Sequence, residues 1–351
     1  VPGNWGKPPL SMLLRPYEFS LSDGRKLCGL VHDSDSTEAQ DPCLTICLHG
    51  WLDNAASFTR LIPLLPLEEA FGPKIIALDM AGHGLSSHLP SGGYYLVASF
   101  AMDVAELIAS TTGSVNLIGH SLGAAVCSIV AGMFQSRIDK LVLLDGIAPM
   151  SSPPSQTTAL LHKYLEKKKN SSSEIPSPRL FASVREAAAR RSEQNIGGKI
   201  NVEDSMLLAN RGVKKVYGEK YTWRTDGRLL WPSLVRFTEP AVLTMLGNVS
   251  AKGVLVILVS DGIFSPLLKF CGFGLWNFSL LMSSLMYVFA FFVPGKFGGL
   301  LRSGAQQGTR LRCLKRRKVV MVNKGGHHFH LSEEGAKEIA ELMTKWCDEI
   351  K

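Results

Sequence analysis

The sequence predicts an α/β fold with a mostly parallel central sheet, flanked by helices and carrying an inserted helical cap. Short apolar runs alternate with stretches of helical periodicity, which is typical of β-α-β units. The apolar runs are continuous, which indicates strands covered on both faces. Four polar residues stand where such runs end: His49, Asp79, Ser121 and Asp145. Because ligands bind beyond the carboxyl ends of parallel strands, we expect the functional site at this edge.

The elements of the N-terminal part follow in chain order. Residues 17–31 predict two short strands around the turn Ser22-Asp23-Gly24. Four buried strands are then predicted at 43–48, 74–78, 115–118 and 141–144. Helices are predicted between them by two groups of apolar residues: Phe58, Leu61, Ile62, Leu64 and Leu65, and then Phe100, Val104, Leu107 and Ile108.

The chain divides into three parts by composition. Residues 1–145 form the N-terminal part of the sheet domain. Residues 146–249 lack strand-like runs and show helical stretches near 159–168, 178–191 and 202–211, so we interpret them as the cap. Residues 250–351 return to the sheet with strands at 254–259 and 318–322, and a final helix begins near Ser332.

An anomalous apolar and basic segment at 265–317 interrupts this last part. The stretch from Phe270 to Val293 is 24 residues long and uncharged, long enough for a helix to span a bilayer. A helix that spanned the membrane here would place Ser121 and His327 on opposite sides of it. The two side chains could then not share one active site. Our leading hypothesis is that the segment replaces or disrupts a surface helix, as retained intronic sequence would. The alternatives are a membrane-facing insert and a buried core helix.

Charge and cysteine content limit the function classes. The net charge is +8, and the basic residues concentrate in two groups: Lys163, Lys167, Lys168, Lys169, Arg185, Arg190 and Arg191, and then Arg310, Arg312, Lys315, Arg316, Arg317 and Lys318. Neither is interleaved with aromatic residues, so we interpret both as solvated helix faces and expect no nucleic-acid partner. The seven scattered cysteines suggest no disulfide framework.

These features also give an expected location. Cysteine usage fits a reducing compartment, and the first residues contain no apolar segment typical of a secretory signal. We therefore expect an intracellular protein, most simply a cytoplasmic one, with a peroxisomal or membrane-associated location as the alternatives.

The pentapeptide Gly119-His120-Ser121-Leu122-Gly123 predicts a nucleophile elbow. It follows an apolar strand and precedes a run of small helix-forming residues, which is the context that this G-x-S-x-G pattern requires. The tight turn needs glycine on both flanks, because a Cβ would collide with the neighbouring elements. An ordinary helix start with serine as N-cap is the simpler alternative.

A serine nucleophile needs a base and an orienting acid, and both candidates follow Ser121 in the chain. The base is His327, which follows two glycines; His328 and His330 are the alternatives. The preferred acid is Asp261, just beyond the strand at 254–259, and Asp145 is the alternative.

An oxyanion hole is expected from two backbone amides near Ser121. We assign it to the N–H groups of Leu122, which begins the next helix, and Trp51, which follows the first long strand. The histidines His49 and His120 are expected to brace these turns, and Asp79 with His83 to fix the turn after their own strand.

Four stretches resemble the serine hydrolase-like proteins of the α/β-hydrolase fold: His49 to Phe58, Asp79 to Ser87, Gly119 to Gly123 and Gly326 to His330. The resemblance extends over residues 17–264 and 318–351. It implies hydrolysis of an ester-type bond without a cofactor, and it does not choose between the two acids.

The predicted function is a serine hydrolase of the carboxylesterase or thioesterase type, working through an acyl-enzyme on Ser121. We expect a small-molecule acyl substrate, no cofactor and no metal. The alternatives are a non-catalytic hydrolase-like binding protein, if the 265–317 segment displaces His327, and a membrane-associated scaffold that contacts lipid through Phe270 to Val293.

Overall fold

The computed structural model describes residues 14–33, 43–173, 179–193, 200–263 and 306–351. Within these ranges the main sheet has eight strands in the order β1-β2-β4-β3-β5-β6-β9-β10, and β7 pairs with β8 apart from it. The strands are β1 (Arg15–Ser20), β2 (Lys26–Asp33), β3 (Leu44–Leu48), β4 (Lys74–Leu78), β5 (Val115–His120), β6 (Ile138–Leu144), β7 (Val213–Lys215), β8 (Tyr221–Trp223), β9 (Gly253–Val259) and β10 (Arg317–Val322).

The sheet is mostly parallel, as predicted. The strands β1 and β2 pair antiparallel, and β2 also lies antiparallel to β4. All the remaining neighbours in the sheet, from β4 to β10, are parallel. Every residue of β3, β5 and β9 is buried, which agrees with strands covered on both faces. The fold is therefore the predicted α/β class.

Helices cover the sheet on both sides. They are α1 (Val97–Ala109), α2 (Leu122–Met133), α3 (Thr157–Ser173), α4 (Val184–Ser192), α5 (Val202–Gly212), α6 (Glu239–Gly247), α7, described over 306–313, and α8 (Glu333–Glu349). Short helical turns lie at Ala55–Phe58, Ile62–Leu64, Leu67–Phe71, Pro154–Gln156, Tyr217–Glu219, Gly227–Leu230 and Phe329–Leu331.

Two apolar clusters hold these layers together. Alternate residues of each central strand point to opposite faces. Leu117 of β5 packs in the cluster that contains α1 and α2, whereas Ile118 packs in the cluster that contains α8. The final helix begins where it was predicted, since the Ser332 side chain accepts a hydrogen bond from the amide of Gly335 at 3.0 Å.

The helix predicted from Phe58 to Leu65 is wrong. The chain forms only the short turns Ala55–Phe58 and Ile62–Leu64 there. The prolines at 63 and 66 lack the amide hydrogens that a continuous α-helix needs, and they confine the segment to short turns. Phe58, Leu61, Ile62 and Leu65 are nevertheless buried, whereas Leu64 is 39% exposed. The apolar pattern therefore identified most of the core positions without identifying their conformation.

Between β6 and β9 the chain forms α3 to α6 and the short β7–β8 pair. The helices α3, α4 and α5 overlap the three predicted stretches, whereas α6 was not predicted. The strand pair was also not predicted, because each of its strands has only three residues. The bounds 146–249 for a separate cap domain stay a prediction.

The anomalous segment at 265–317 is only partly described. Its last residues form α7 and the start of β10, which pairs with β9 in a regular parallel register from Arg317 opposite Val254. Residues 264–305, which include the stretch from Phe270 to Val293, lie outside the described residues. In the part of the chain that the structure describes, no helix is both long and apolar enough to cross a membrane.

The two basic groups are mostly exposed, but the solvated-face interpretation is wrong for Arg191 and Arg310. Both are almost fully buried, at 4% and 3% exposure. The Arg310 guanidinium donates to both carboxylate oxygens of Glu239 at 2.9 and 2.7 Å. Helical phase explains the burial, because Arg310 lies three residues after the buried Gln307 and four residues before the buried Leu314. The ion pair joins α7 to α6.

Replacing Arg310 by methionine is expected to destabilise the protein by about 3 kcal/mol, because it leaves Glu239 half-buried without its cation. Burial disfavours the ionised form of Glu239, but Arg310 outweighs this and lowers the pKa below its ordinary value of 4.5. The difference between the proteins should therefore shrink as the pH falls below 4.5. Urea unfolding measures this difference in the free energy of unfolding. The exposed Arg312→Met control should stay within about 0.5 kcal/mol of wild type, and equal losses in both variants would contradict the assignment.

Candidate active site

Ser121 occupies a strained turn between β5 and α2. Its backbone has φ 52° and ψ −110°, a conformation that residues other than glycine rarely adopt. A Cβ on Gly123 would overlap the Leu48 carbonyl, and one on Gly119 would come within 2.5 Å of the Gly123 carbonyl oxygen. The turn therefore has the geometry of a nucleophile elbow, with strand and helix packed too closely for any flanking side chain.

His327 lies against Ser121. The His327 Nε2 atom is 2.8 Å from the Ser121 Oγ atom, and the imidazole is only 3% exposed. The preceding Gly325 and Gly326 have φ of 127° and 64°, so glycine at these positions allows the loop after β10 to turn the ring toward the elbow. The structure thus brings the predicted base to the predicted nucleophile.

The carboxylate beside His327 belongs to Asp145. Its Oδ2 atom is 2.6 Å from the His327 Nδ1 atom, and the side chain is fully buried at the end of β6. The amides of Val259 and Ile263 donate to its two oxygens at 3.4 and 3.3 Å. These contacts fix the carboxylate in the orientation that an imidazole N–H requires.

The preferred acid, Asp261, is not at the imidazole, and this expectation is corrected. Its Oδ1 atom accepts a hydrogen bond from the Gly326 amide at 2.9 Å, one residue before the base. The physical reason is the tight turn after β9, in which the Gly262 amide donates to the Val259 carbonyl at 3.1 Å. This turn directs Asp261 to the backbone of the histidine loop and leaves the space beside the ring to Asp145.

The two residues predicted for the oxyanion hole lie at the start of α2 and in the turn after β3. Leu122 is the first residue of α2, where helix amides have no acceptor within the helix. Trp51 lies in a turn closed by the Asp53 amide and the Gly50 carbonyl at 3.1 Å. Its indole N–H donates to the Leu229 carbonyl at 3.0 Å, which anchors this loop to the segment between β6 and β9. Their role in binding an oxyanion stays a prediction.

His49 and His83 brace the loop that carries Trp51. His49 accepts from the Met80 amide at 3.0 Å, so its other ring nitrogen donates to the Gly50 carbonyl at 2.7 Å. His83 accepts from the Leu52 amide at 3.2 Å. Burial lowers the pKa of both imidazoles, to about 3 for His83, so they are neutral supports.

Asp79 fixes the turn after β4. Its carboxylate accepts from the amides of Ala55 at 2.7 Å and Leu85 at 2.8 Å. It is also paired with Arg211 of α5 at 2.8 Å. This buried carboxylate therefore joins three separate segments and has the structural role that was predicted for it.

Neutral histidines surround His327. The His120 Nε2–H group donates to the His327 carbonyl at 2.8 Å, because a carbonyl can only accept. The His330 ring lies 4.1 Å from that of His120 and is fully buried. Burial, with the other histidines, lowers the pKa of His120 well below its usual range and that of His330 to about 3. Among the described hydrogen bonds, the imidazole that pairs with the Ser121 hydroxyl is that of His327, and His120 and His330 have supporting places.

Asp53 and Arg191 were not singled out from the sequence. The Arg191 Nη2 atom lies 2.9 Å from the Asp53 Oδ1 atom and 3.1 Å from the His328 Nε2 atom. A usable signal existed for Arg191, because it follows the buried Ala187 and Ala188 at helical spacing and so shares the inward face of α4. Nothing in the sequence around Asp53 indicates its contact with the histidine loop.

The arrangement can transfer a proton between a hydroxyl and an imidazole that a buried carboxylate orients. In the ranges that the structure describes, no three or more His, Cys, Asp or Glu side chains are grouped so as to hold a metal ion.

Comparison with known proteins shows consistent similarities. A family model described as the α/β-hydrolase fold matches residues 46–180. A serine hydrolase-like protein from Dictyostelium discoideum is 32% identical over 313 residues, which cover 86% of this chain and 75% of that protein. Human serine hydrolase-like protein 2 is 33% identical over 190 residues, covering 53% of this chain and 58% of that protein.

A solved structure agrees with these matches. The hypothetical protein PA1622 from Pseudomonas aeruginosa superposes with a TM-score of 0.71 and 29% identity, covering 94% of this chain and 98% of that one. The matched regions span less than two thirds of the related proteins from zebrafish, mouse and human, at 65%, 59% and 58% of their lengths.

Replacing Gly123 by alanine is expected to destabilise the protein by at least about 2 kcal/mol, because the new methyl group would overlap the backbone of β3. Gly247→Ala is the matched control, since a Cβ there meets no atom within 4 Å. Denaturant unfolding compares the two, and a Gly123→Ala protein as stable as the control would contradict the described packing of the elbow.

Proposed function

Since the chain belongs to the serine hydrolase-like family of the α/β-hydrolase fold, we propose that it is a serine hydrolase that cleaves a carboxylic ester or thioester. The observation that carries the proposal is the continuous contact from Ser121 through His327 to Asp145, at 2.8 and 2.6 Å. These three side chains have the types and the order of contacts that activate a serine hydroxyl.

In the first step, Ser121 Oγ attacks the carbonyl carbon of the substrate while its proton moves to His327 Nε2. The carbonyl double bond opens, and the oxygen becomes an anion. The amides of Trp51 and Leu122 are the proposed donors to this oxyanion. Removing one such donor typically costs about 3–4 kcal/mol of transition-state stabilisation.

The intermediate then collapses. The carbonyl re-forms, the bond to the leaving alcohol or thiol breaks, and His327 gives its proton to the departing oxygen or sulfur. An acyl group remains on Ser121. Water attacks this acyl-enzyme while His327 takes its proton, and collapse returns that proton to Ser121 and releases the acid.

Asp145 orients the base throughout this cycle. An ionised carboxylate can only accept a hydrogen bond, so Asp145 holds the proton of the imidazole on Nδ1 and leaves Nε2 free to take the serine proton. The full burial of Asp145 strengthens this interaction, because water does not compete for the carboxylate.

The segment at 146–249 is proposed to act as a cap that shapes access for a small acyl substrate. Support comes from the Trp51 indole, which bonds to Leu229 in that segment, beside the proposed oxyanion donor. The six cysteines in the described ranges are free thiols, which is consistent with the proposed cytoplasmic location.

A non-catalytic binding protein remains the competing function. That alternative required the 265–317 segment to displace His327, and the 2.8 Å contact with Ser121 gives it no support. The labelling experiment below separates the two functions, because only an activated serine reacts with a fluorophosphonate.

A fluorophosphonate probe is expected to label the wild-type protein and to leave Ser121→Ala unlabelled, because Ser121 is the proposed nucleophile. Ser128→Ala is the control, since Ser128 is a buried serine in α2, the helix that follows Ser121, and bonds only to the Ala125 carbonyl at 2.9 Å among its described partners. Gel fluorescence measures labelling. Folded wild-type protein that never labels would rule against a serine hydrolase.

The two candidate acids should respond differently to substitution by asparagine. Asp145→Asn should lower kcat about 10³- to 10⁴-fold, because the amide favours the wrong imidazole tautomer. Asp261→Asn should lower it less than about tenfold, since its oxygen can still accept from the Gly326 amide. Ester hydrolysis at saturating substrate measures both, and the reverse order of effects would reinstate Asp261 as the acid.

A further inference from the structure

We propose that Asp53 and Arg191 are positioning residues of this hydrolase: a buried carboxylate joins the three loops of the catalytic machinery, and an arginine from the segment between β6 and β9 holds it. The inference rests on the proposed function. We call Asp53, Arg191, His120 and His328 the Asp53 hub.

The Asp53 carboxylate lies where the three loops meet. Its Oδ2 atom is 3.3 Å from the Nε2 atom of His328, which directly follows the base, and 3.8 Å from the Nδ1 atom of His120, which directly precedes the nucleophile. It also lies against Gly50, the residue before Trp51, where a Cβ would come within 2.9 Å of this oxygen. A shift of Asp53 would therefore move all three loops.

Arg191 balances the buried charge of Asp53. Both side chains are buried, at 0% and 4% exposure, and their polar atoms are 2.9 Å apart. Burial lowers the pKa of His120 well below its usual range, so its imidazole is neutral and cannot supply the balancing charge. Burial lowers the pKa of His328, so this imidazole is also neutral. Of the described groups that face Asp53, the guanidinium is thus the cation at neutral pH.

The two carboxylate oxygens of Asp53 have different partners. Arg191 donates to Oδ1, while Oδ2 faces the two histidines without an ideal hydrogen bond. Burial opposes the ionisation of Asp53, yet its neighbours, with His328 and Arg191 foremost, hold its pKa well below the usual range. The hub therefore presents a fixed negative oxygen to the loops beside Ser121 and His327.

A purely structural ion pair and a positioning hub differ in their effect on the base. The charged and titratable groups around His327 are Asp145 on its ring, His120 and His328 beside it, and Asp261 on the preceding amide. Removing the Arg191 charge leaves Asp53 negative and should raise the apparent pKa of the base. Removing the Asp53 charge leaves Arg191 positive and should lower it. Removing both should cancel the shift.

The experiment compares Arg191→Met, Asp53→Asn and the double variant in the full chain, with hydrolysis of a small p-nitrophenyl ester from pH 5 to 9. We expect Arg191→Met to lower kcat roughly 10- to 100-fold with KM changed less than about threefold. The acid limb of kcat/KM should move up by roughly 0.5–1 pH unit in Arg191→Met and down by a similar amount in Asp53→Asn. In the double variant the acid limb should return close to its wild-type position. Arg191→Lys should restore the limb, because it restores the charge.

Two variants serve as controls. Arg190→Met alters the neighbouring residue on α4, which is 44% exposed and paired with Glu193, and it should leave stability and kinetics unchanged. Arg211→Met breaks another buried pair of this segment, with Asp79, and it should lower the melting temperature without moving the acid limb. The double variant leaves no unpaired buried charge and keeps the comparison valid if either single variant fails to fold.

Two results would overturn the proposal: an acid limb that stays in place in both single variants, or a loss of kcat that follows the melting temperature equally in Arg191→Met and Arg211→Met. Wild-type protein that hydrolyses no ester and takes no fluorophosphonate would instead defeat the proposed function. Imidazole ¹⁵N NMR then tests the hub without turnover. The pKa of His328 should rise in Arg191→Met, and an unchanged titration would refute the hub.

Discussion

The hydrogen bond between His327 Nδ1 and Asp145 Oδ2 depends on the register of the parallel strands. Asp145 ends β6 and His327 follows β10, and β9 lies between these two strands. Every residue from Val254 to Val259 is paired with β10, so the two loops leave the same edge at matching heights. The amides of Val259 and Ile263 then hold the carboxylate in place. A contact between residues 182 positions apart is thus set by the backbone ladder.

Buried charges link the segment between β6 and β9 to this edge. Arg191 of α4 pairs with Asp53, Arg211 of α5 pairs with Asp79, and Asp204 of α5 pairs with Arg60 of the core. Removing one partner of such a pair leaves an unbalanced buried ion, so the pairs strongly favour one docked position for these helices. The segment therefore contributes to the order of the loops that carry Asp53 and Asp79.

Features that depend on a few neighbouring residues could be predicted from the sequence. The sequence indicates the conformation of the elbow around Ser121 and of the glycines before His327, because few residues tolerate those backbone angles. The choice between Asp145 and Asp261 had no such signal, since both carboxylates follow buried strands at one edge. A single turn after β9 decides between them. The burial of Arg191 and Arg310 was missed because charge was counted along the chain, although helical phase places both on inward faces.

The backbone angles of Ser121 also restrict which nucleophiles evolution could place in this turn. With φ at 52°, a β-branched residue is strongly disfavoured, so threonine would add strain at a position already under it. Cysteine has the same branching as serine and fits the turn equally well. If Ser121 is the proposed nucleophile, a thiol nucleophile is therefore one conservative substitution away in this lineage, whereas a threonine nucleophile would first require a different turn.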